Sequence, residues 1–261
     1  FCTELILFLR QNKSSRAQIM FQIFSKKYRK PLFTGLTDIH NHILPGIDDG
    51  SKSIEMSEAM FKLYDELGFN KVIPTSHIYQ ELYPNTPDTI KTAYTKLKSA
   101  KTCGLLAAEC GAEYMVEEIF LKEISTAPPA MSYNNGYVLI EMPFFGQTAM
   151  IEEACFLLCQ QNLKPILAHP ERYQLVDRLD KFKELKNKGF YLQLNALSLL
   201  GHYGPQVKTK AEKLLETGLY DFIGTDAHHP GHLQQLTKLK LTKKQGLLWE
   251  AIVEHQNQKF H

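Results

Sequence analysis

A repeated pairing of an apolar run with a polar end constrains the fold of this chain more than any other feature. Seven strand-like runs are separated by segments with helical spacing; they read LTDIH, KVIPTSH, GLLAAECGAE, YVLIEMPF, KPILAHP, FYLQLNA and DFIGTDAHH. Strands that alternate with helices predict repeated β-α units and a parallel sheet. At 261 residues the chain suits one large α/β domain, whose sheet either closes into a barrel or stays open and doubly wound.

The segments between the runs carry signals for the starts and ends of helices. Ser53 is placed to cap the first helix, and Gly68 to end it. Pro87 and Pro205 stand where a first helical turn would begin. These signals support the alternation of strands and helices.

Six of the seven runs have a histidine or a carboxylate at or just beyond their carboxyl end. The residues are His40, His42, His77, Glu113, Glu141, His169, Asp226 and His228. The carboxyl ends of parallel strands lie on one face of the fold, so we expect these side chains to meet there. One buried histidine is more often a hydrogen-bonded structural group than a ligand. A whole group of such side chains would be costly to desolvate unless cations neutralised it.

The stretch TDIHNHILPGIDDG adds two aspartates, Asp48 and Asp49, to this set. His40 and His42 are two positions apart on a strand, so their rings share a face. Imidazoles and carboxylates without thiolates suit Mn²⁺, Fe²⁺ or Zn²⁺, and carboxylates that can bridge favour more than one ion. The sequence therefore predicts a multinuclear metal site but does not decide which aspartate is the ligand.

Charge and cysteine content exclude several classes of protein. The net charge of +2 predicts no nucleic-acid surface. The five cysteines show neither CxxC spacing nor a disulfide framework, which favours the cytoplasm. None of them is followed six positions later by arginine, so the phosphate loop of cysteine-dependent phosphatases is absent.

The beginning of the chain is interpreted as an extension. The opening FCTELILFLR is apolar but too short to span a bilayer. Met20 is a natural start, so residues 1–19 are interpreted as sequence with little role in the fold. We expect an N-terminal extension over residues 1–33 and a single catalytic domain over residues 34–261.

A resemblance to a known family adds to this interpretation. The motifs DIHNHILPGIDDG, TSH, GAEY, LIEM, AHPERY and GTDAHH, in this order and spacing, resemble those of the metal-dependent phosphoesterases of the PHP superfamily. They are most similar to its bacterial protein-tyrosine phosphatases of the CpsB/CapC type, which control tyrosine kinases of capsule and exopolysaccharide export. The similarity covers about residues 34–235. It implies a distorted (β/α)7 TIM-like barrel, a cytoplasmic phosphoric monoester hydrolase, and the phosphotyrosine tail of such a kinase as substrate.

The same resemblance implies three divalent ions, most often Mn²⁺, with Fe or Zn as alternatives. Their ligands would be His40, His42, Glu113 and Asp226 for the first ion; Glu113, Glu141 and His169 for the second; and Asp49, His77 and His228 for the third. Glu113 would bridge the first two ions. Asp48 would then lie behind the ligands.

The resemblance also implies how phosphate is bound and attacked. Arg172 matches the phosphate-binding arginine of the AHPER motif. A second arginine found in some members after the last motif is missing, and His229 or His232 is a candidate to replace it; the alternative is that both are solvated loop histidines. A hydroxide bridging two ions would attack phosphorus, while the third ion and Arg172 bind the phosphoryl oxygens.

Two other functions remain open at this point. The first is a small-molecule phosphoesterase such as a histidinol-phosphate phosphatase, which shares the superfamily. The aspartate in LPGIDDGS speaks against it, because those enzymes more often use histidine there. The second is a catalytically silent barrel that binds a partner, although a degenerate member would be expected to lose ligands and this chain keeps every ligand position.

Overall fold

The computed structural model describes residues 27–100, 104–143, 148–173 and 178–260. The expectations for FCTELILFLR and Met20, and the positions of Cys2 and Cys103, lie outside these ranges. Among the helices within these ranges, none combines the length and the apolar character needed to cross a bilayer.

Eight short strands follow one another within the described ranges, all paired in parallel. They are β1 (Thr37–Asp38), β2 (Lys71–Val72), β3 (His77–Ile78), β4 (Glu113–Met115), β5 (Tyr137–Glu141), β6 (Lys164–Ala168), β7 (Tyr191–Asn195) and β8 (Phe222–Gly224). β1 pairs with β2, and β3 to β8 form a six-stranded sheet in sequential order. The protein is thus a mixed α/β fold with parallel sheets, as the alternating pattern predicts.

The runs KVIPTSH and GLLAAECGAE do not each form one continuous strand as predicted. The run KVIPTSH is divided into β2 and β3, with Pro74 between them. Proline has no N–H to donate to a neighbouring strand, which accounts for the interruption. In the run GLLAAECGAE only the last residue, Glu113, begins a strand, while Leu106 makes an isolated parallel bridge to Val72.

Eight α-helices lie between and after the strands. They are α1 (Ile54–Leu67), α2 (Pro87–Lys98), α3 (Glu118–Ile124), α4 (Thr148–Gln160), α5 (Leu179–Asn187), α6 (Pro205–Glu216), α7 (Pro230–Leu236) and α8 (Lys243–Lys259), counted within the described ranges. Ser53 caps α1 by accepting from the backbone N–H of Met56, and Gly68 ends it with a φ of 84°. Pro87 and Pro205 begin α2 and α6, so the predicted helix signals are confirmed.

Backbone hydrogen bonds also connect the first strand region to the last. Asp226 N–H donates to the carbonyl of His40 at 2.8 Å, and His42 N–H donates to the carbonyl of Ala227 at 3.0 Å. Asp38 reinforces this junction by accepting from the N–H and the hydroxyl of Thr225, at 3.0 and 2.6 Å. The polar ends of β1 and β8 are therefore held side by side.

The residues just before β1 pack against α8. Phe33 is buried and stacks on Phe69, and Trp249 donates its indole N–H to the carbonyl of Leu32 at 2.7 Å. Tyr28 N–H donates to the carbonyl of Leu241 at 3.0 Å. Residues 27–33 thus contact the body of the fold, and the division of the chain at residue 33 stays a prediction.

Candidate metal centre

The predicted ligands come together at the carboxyl ends of the strands. Donor atoms within 4.8 Å of one another form three overlapping groups in the described part of the chain: His40, His42, Glu113 and Asp226; His77, Glu113 and Glu141; and His42, Asp49, His77 and His228. His169 is adjacent, with its Nε2 at 3.0 Å from Glu113 Oε1. Strand register contributes to this, because His77 is the direct partner of Glu113 across β3 and β4.

The first group is completely enclosed. His40 Nε2 lies 3.1 Å from Glu113 Oε2 and 3.4 Å from Asp226 Oδ1. His42 Nε2 lies 3.3 Å from each of the same two oxygens. All four side chains are buried, and His40 Nε2, His42 Nε2 and Glu113 Oε2 have no hydrogen-bond partner. Buried polar atoms are rarely left unpaired, so converging unpaired donor atoms fit a bound cation.

Hydrogen bonds on the far side of the rings fix which nitrogen faces the group. His40 Nδ1 lies 2.8 Å from Gln193 Oε1, and His42 Nδ1 lies 3.0 Å from Asp48 Oδ2. His228 Nδ1 lies 2.9 Å from the backbone carbonyl of Asp226. Each partner atom is an acceptor, so Nδ1 carries the proton of the neutral ring and Nε2 presents a lone pair. This is the arrangement by which metal-binding histidines are commonly oriented.

Two glycines allow the chain to pack closely behind these rings. A Cβ at Gly224 would lie 2.6 Å from the Cβ of His40, and one at Gly50 would lie 2.3 Å from the Cβ of His42. Real Cβ atoms do not approach other atoms so closely, so a side chain at either position would displace a histidine. Gly50 of the DDG sequence and Gly224 of the FIG sequence thus contribute to the site because glycine has no side chain.

The second group is built around Glu113 and Glu141. His77 Nδ1 lies 3.1 Å from Glu141 Oε1 and 3.3 Å from Glu113 Oε2. His169 approaches the same two carboxylates from β6, with Nε2 at 3.0 Å from Glu113 and 3.7 Å from Glu141. Glu113 therefore contacts histidines on both sides, the position expected for a bridging carboxylate. His77 faces this second group with Nδ1, although the family resemblance implies that His77 is a ligand of the third ion.

The third group is more open, and it separates the roles of the two aspartates. Asp49 Oδ1 lies 3.4 Å from His228 Nε2 and 3.7 Å from His77 Nε2, and 46% of its side chain is exposed. Asp48 is buried and accepts from the N–H groups of Gly50 and His77, at 2.9 and 3.2 Å, as well as from His42. The geometry therefore favours Asp49 as the ligand and Asp48 as the residue that orients His42.

Asp226 is anchored on its outer oxygen by three donors. Arg172 Nη1, Asn195 Nδ2 and the Tyr203 hydroxyl lie 3.1, 2.8 and 3.3 Å from Oδ2. Oδ1 is left facing His40 and His42. The Arg172 guanidinium also lies over the Tyr203 ring, 4.4 Å from its centroid, in a cation–π contact. Arg172 is thus tied to the metal group while it lines the cavity above it.

A buried carboxylate supports the segment that carries Arg172. Glu171 accepts from the N–H of Asn195 at 3.0 Å, from the Ser198 hydroxyl at 2.7 Å and from the Tyr220 hydroxyl at 2.9 Å. These bonds fix the short 3₁₀ helix Pro170–Arg172 against the turn after β7. Glu171, the glutamate of the AHPER motif, thus has a structural role beside Arg172.

Sequence reasoning missed the contribution of β7. The run FYLQLNA is the one that ends without a histidine or a carboxylate, and it was given no role in the site. Its two amides, Gln193 and Asn195, bind His40 and Asp226. The available signal was that both amides are polar residues in an otherwise apolar strand, spaced two apart so that they share a face.

Two of the predicted ligands lie on unusual backbone. His169 has a φ of 32° and Asp226 a φ of 50°, in the left-handed region that residues with a side chain rarely adopt. Such conformations are destabilising and persist where surrounding bonds hold them, most often at functional sites. Here both residues leave the end of a strand, and the turn directs their side chains into the group.

The histidines and carboxylates of the first group shift one another's pKa values. Burial alone would lower the pKa of His40, but the charges of Glu113 and Asp226 outweigh it and raise that pKa to about 9. Burial alone would raise the pKa values of Glu113 and Asp226, but the nearby histidines hold both well below their usual range. Metal binding would have to release the histidine protons, so metal affinity is expected to fall as the pH falls.

A cavity of about 640 Å³ opens over the cluster. Its cationic wall is Arg172, and four carboxylates, Asp49, Glu113, Glu141 and Asp226, line it as well. A phosphate ester would be repelled by such a set of carboxylates unless cations were bound among them. The arrangement therefore suits metal-assisted chemistry on an anionic substrate.

The two candidate replacements for the missing arginine also line this cavity. The rings of His229 and His232 are in contact, with centroids 3.9 Å apart and planes tilted by 45°. His232 Nδ1 accepts from the backbone N–H of His228 at 3.2 Å. Burial and the neighbouring histidines lower the pKa of His232 to about 4. A neutral imidazole is a weaker phosphate partner than a guanidinium, so a role for either histidine in phosphate binding stays a prediction.

The described cysteines lie away from this cavity. Cys110, Cys155 and Cys159 are free thiols, and none of them is among the residues that line it. Burial raises the pKa of Cys110 to about 11, which disfavours the reactive thiolate. Within the described ranges, the site offers metal-ligand chemistry rather than cysteine chemistry.

Comparison with known proteins agrees with the geometry. CapC of Staphylococcus aureus is 30% identical to this chain over 208 residues, which are 77% of this chain and 82% of CapC. The tyrosine-protein phosphatase YwqE of Bacillus subtilis is 29% identical over 74% of this chain and 78% of its own length. The tyrosine-protein phosphatase CpsB of Streptococcus agalactiae is 28% identical over 74% and 83%, respectively.

A solved structure extends the similarity to the fold. It comes from work on YwqE of Bacillus subtilis and CpsB of Streptococcus pneumoniae, which are described as unique metal-dependent tyrosine phosphatases. It superposes with a TM-score of 0.68 at 27% identity, covering 85% of this chain and 95% of the solved one. The family model for capsular polysaccharide synthesis proteins CpsB/CapC matches residues 36–245. The cluster, the fold and this match lead to one conclusion: the chain belongs to the CpsB/CapC family.

Proposed function

We propose that this chain is a metal-dependent protein-tyrosine phosphatase, a phosphoric monoester hydrolase. The observation that carries the proposal is the convergence of buried, unpartnered histidine nitrogens and carboxylate oxygens on one cavity. The relatives named as tyrosine-protein phosphatases support the substrate class. A catalytically silent binding module is disfavoured, because the chain retains every predicted ligand position.

We assign three divalent ions to the cluster, with Mn²⁺ as the first choice and Fe or Zn as alternatives. The ligands would be His40, His42, Glu113 and Asp226 for the first ion; Glu113, Glu141 and His169 for the second; and Asp49, His77 and His228 for the third. The overlap of the donor groups at Glu113 supports a shared ligand. The donor set of imidazoles and carboxylates, without thiolates, is compatible with Mn²⁺, Fe and Zn, and the choice of Mn²⁺ among them rests on the family resemblance.

The ions, when bound, would make a water molecule acidic and polarise the phosphoryl group. Arg172 supplies the protein's own positive charge to the phosphoryl oxygens. Asp226 holds Arg172 through Oδ2, and Tyr203 supports the guanidinium plane from one side. The leaving group is a phenolate with a pKa of about 10, so it needs less proton donation than an alkoxide.

We propose that the strands close into a distorted (β/α)7 barrel, with β2 and β3 as two parts of one strand. The hydrogen bonds that join His40 and His42 to Asp226 and Ala227 support closure between the first and last strands. Residues 34–261 would then be one catalytic domain with its site at the carboxyl ends of the strands, as is usual for such barrels.

The proposed substrate is phosphotyrosine on a flexible protein segment, such as the tail of a bacterial tyrosine kinase of capsule or exopolysaccharide synthesis. The match to a capsular polysaccharide synthesis family supports this choice. A cytoplasmic location is proposed with it, supported by the free thiols of Cys110, Cys155 and Cys159.

A substrate panel tests the proposal. The protein, stripped of metal and reloaded with Mn²⁺, Co²⁺ or Zn²⁺, is assayed on phosphotyrosine peptides, phosphoserine peptides and histidinol phosphate, with elemental analysis alongside. We expect two or three ions per chain, activity that a chelator abolishes, and the highest kcat/KM on phosphotyrosine. A wide preference for histidinol phosphate would replace this function with the small-molecule alternative.

A further inference from the structure

The segment Tyr79–Tyr83, which follows β3, lies at the mouth of the cavity and is not explained by metal or phosphate binding. Tyr79 and Tyr83 exchange two backbone hydrogen bonds, of 3.0 and 2.7 Å, and so form a tight antiparallel pair. Three side chains of this hairpin, Tyr79, Leu82 and Tyr83, line the cavity.

The hairpin is fixed at its base. Asn85 donates from Nδ2 to the carbonyls of Ile47 and His77, at 2.8 and 2.9 Å, and Gln80 N–H donates to Glu117 Oε1 at 3.1 Å. The Tyr83 ring stacks on His77, with centroids 5.3 Å apart and planes 11° from parallel. The hairpin thus continues directly from a metal-binding residue and presents a defined surface.

Leu82, at the tip of this hairpin, is exposed without a structural reason. Its exposure of 64% is the highest among the large hydrophobic residues in the described part of the chain. A single exposed leucine on a protein surface needs no explanation. This one, however, lies with two tyrosines on the wall of the candidate active site, which makes it part of an apolar patch beside a polar floor.

The charge of the hairpin indicates which part of a substrate it suits. Its five residues include one carboxylate, Glu81, and no cation, so it offers no positive charge to a phosphate dianion. Arg172 and Tyr203 follow β6 and β7, three and four strands away from β3 in the sheet order. When a phosphate ester lies against the metal groups and Arg172, its organic portion therefore faces a different wall of the cavity, whose side chains are uncharged.

We propose that the Tyr79–Tyr83 hairpin receives the aromatic ring of the phosphotyrosine, with Leu82 as the residue that determines preference for an aryl ester. This rests on the proposed function and deepens it. The contact is made with the ring in both the ground state and the transition state, so it contributes to KM more than to kcat. Tyr83 has a second role in supporting His77, so Leu82, the most exposed of the three cavity-lining side chains of the hairpin, is the residue to test.

The test compares Leu82→Ser with Leu82→Phe in the full metal-loaded chain. Phe156→Ser is the matched control, because Phe156 is 60% exposed on α4 and does not line the cavity. Leu82→Ser should raise KM for a phosphotyrosine peptide about three- to tenfold with little change in kcat, as loss of a partly buried apolar contact does. Leu82→Phe should keep KM at or below the wild-type value. Inhibition by inorganic phosphate, which has no ring, should be the same in all variants.

The outcomes separate this inference from the proposed function. Unchanged KM in Leu82→Ser, while the wild type still prefers phosphotyrosine, overturns the hairpin's role and leaves the phosphatase assignment intact. A parallel loss of phosphate inhibition also overturns it, because the substitution would then act on the phosphate site. A wild type that prefers histidinol phosphate overturns both.

Discussion

The site has two parts that are built in opposite ways. The floor, formed by His40, His42, Glu113 and Asp226, is buried and has little freedom. Each of its histidines has a hydrogen bond behind it, at Nδ1, and Asp226 has three donors on its outer oxygen.

The rim, formed by Asp49, Leu82, Arg172 and Tyr203, is more open. Asp49 and Leu82 are largely exposed, and Arg172 keeps its charge at the cavity wall. Under the proposed function, this difference corresponds to two roles: the floor would fix the metal geometry before substrate arrives, and the rim would bind a group that enters from solvent. Substitutions in the floor should therefore affect metal content, whereas substitutions in the rim should affect kinetics with the metals in place.

Glu113→Gln is expected to have the largest effect, because it removes a charge shared between two donor groups while keeping the side chain's size. Loss of a residue that only hydrogen-bonds a metal ligand costs roughly 10- to 100-fold in metal affinity or activity. Glu113→Gln should lower the activity by more than this, and the metal content should fall as well. Elemental analysis and turnover on a phosphotyrosine peptide measure both. Glu109→Gln, a change to an exposed carboxylate in the same segment, is the control. Near-normal metal content and turnover in Glu113→Gln would contradict the bridging role.

Arg172→Ala tests the rim with the floor intact. Loss of a charged partner of the phosphoryl oxygens should cost about 2 to 4 kcal/mol of transition-state stabilisation, roughly 30- to 1,000-fold in kcat/KM. The metals should remain bound, because Asn195 and Tyr203 still hold Asp226. Arg178→Ala removes an exposed arginine and serves as the control. If metal is lost in Arg172→Ala, the division between floor and rim is wrong at this residue.

Asp48→Asn tests whether the buried aspartate acts through His42. All three groups that approach its carboxylate, from His42, Gly50 and His77, are donors, so an amide NH₂ would face one of them. Metal affinity should fall about 10- to 100-fold, and excess Mn²⁺ should restore kcat. Asp65→Asn, at an exposed position of α1, should change neither quantity. Failure of excess metal to restore turnover would assign Asp48 a direct role.

Alkylation of the cysteines should have the smallest effect. Iodoacetamide should leave activity on phosphotyrosine peptides nearly unchanged, while a chelator abolishes it, because no described cysteine lines the cavity and burial raises the pKa of Cys110 to about 11. The extent of labelling is read by mass spectrometry. Rapid inactivation that phosphate prevents would point to a thiol nucleophile.

The sequence by itself determined which residues would meet. Polar residues at the ends of apolar runs are a local signal, and parallel β-α topology brings those ends to one face whatever the details of packing. The same pattern did not decide whether Asp48 or Asp49 is the metal ligand. The two residues are adjacent and chemically identical, so they differ only in the direction of their side chains.

The tertiary structure decided the partners of those residues. His40 is oriented by Gln193, 153 positions away, and Asp226 by Asn195 and Tyr203 from β7 and the turn after it. Such contacts depend on strand register and on the backbone angle at each turn, which leave no pattern in the local sequence. The position of Leu82 at the mouth of the cavity is also decided by tertiary contacts. Hydrogen bonds from outside the hairpin hold it in place and leave Leu82 exposed, although leucine is usually a core residue.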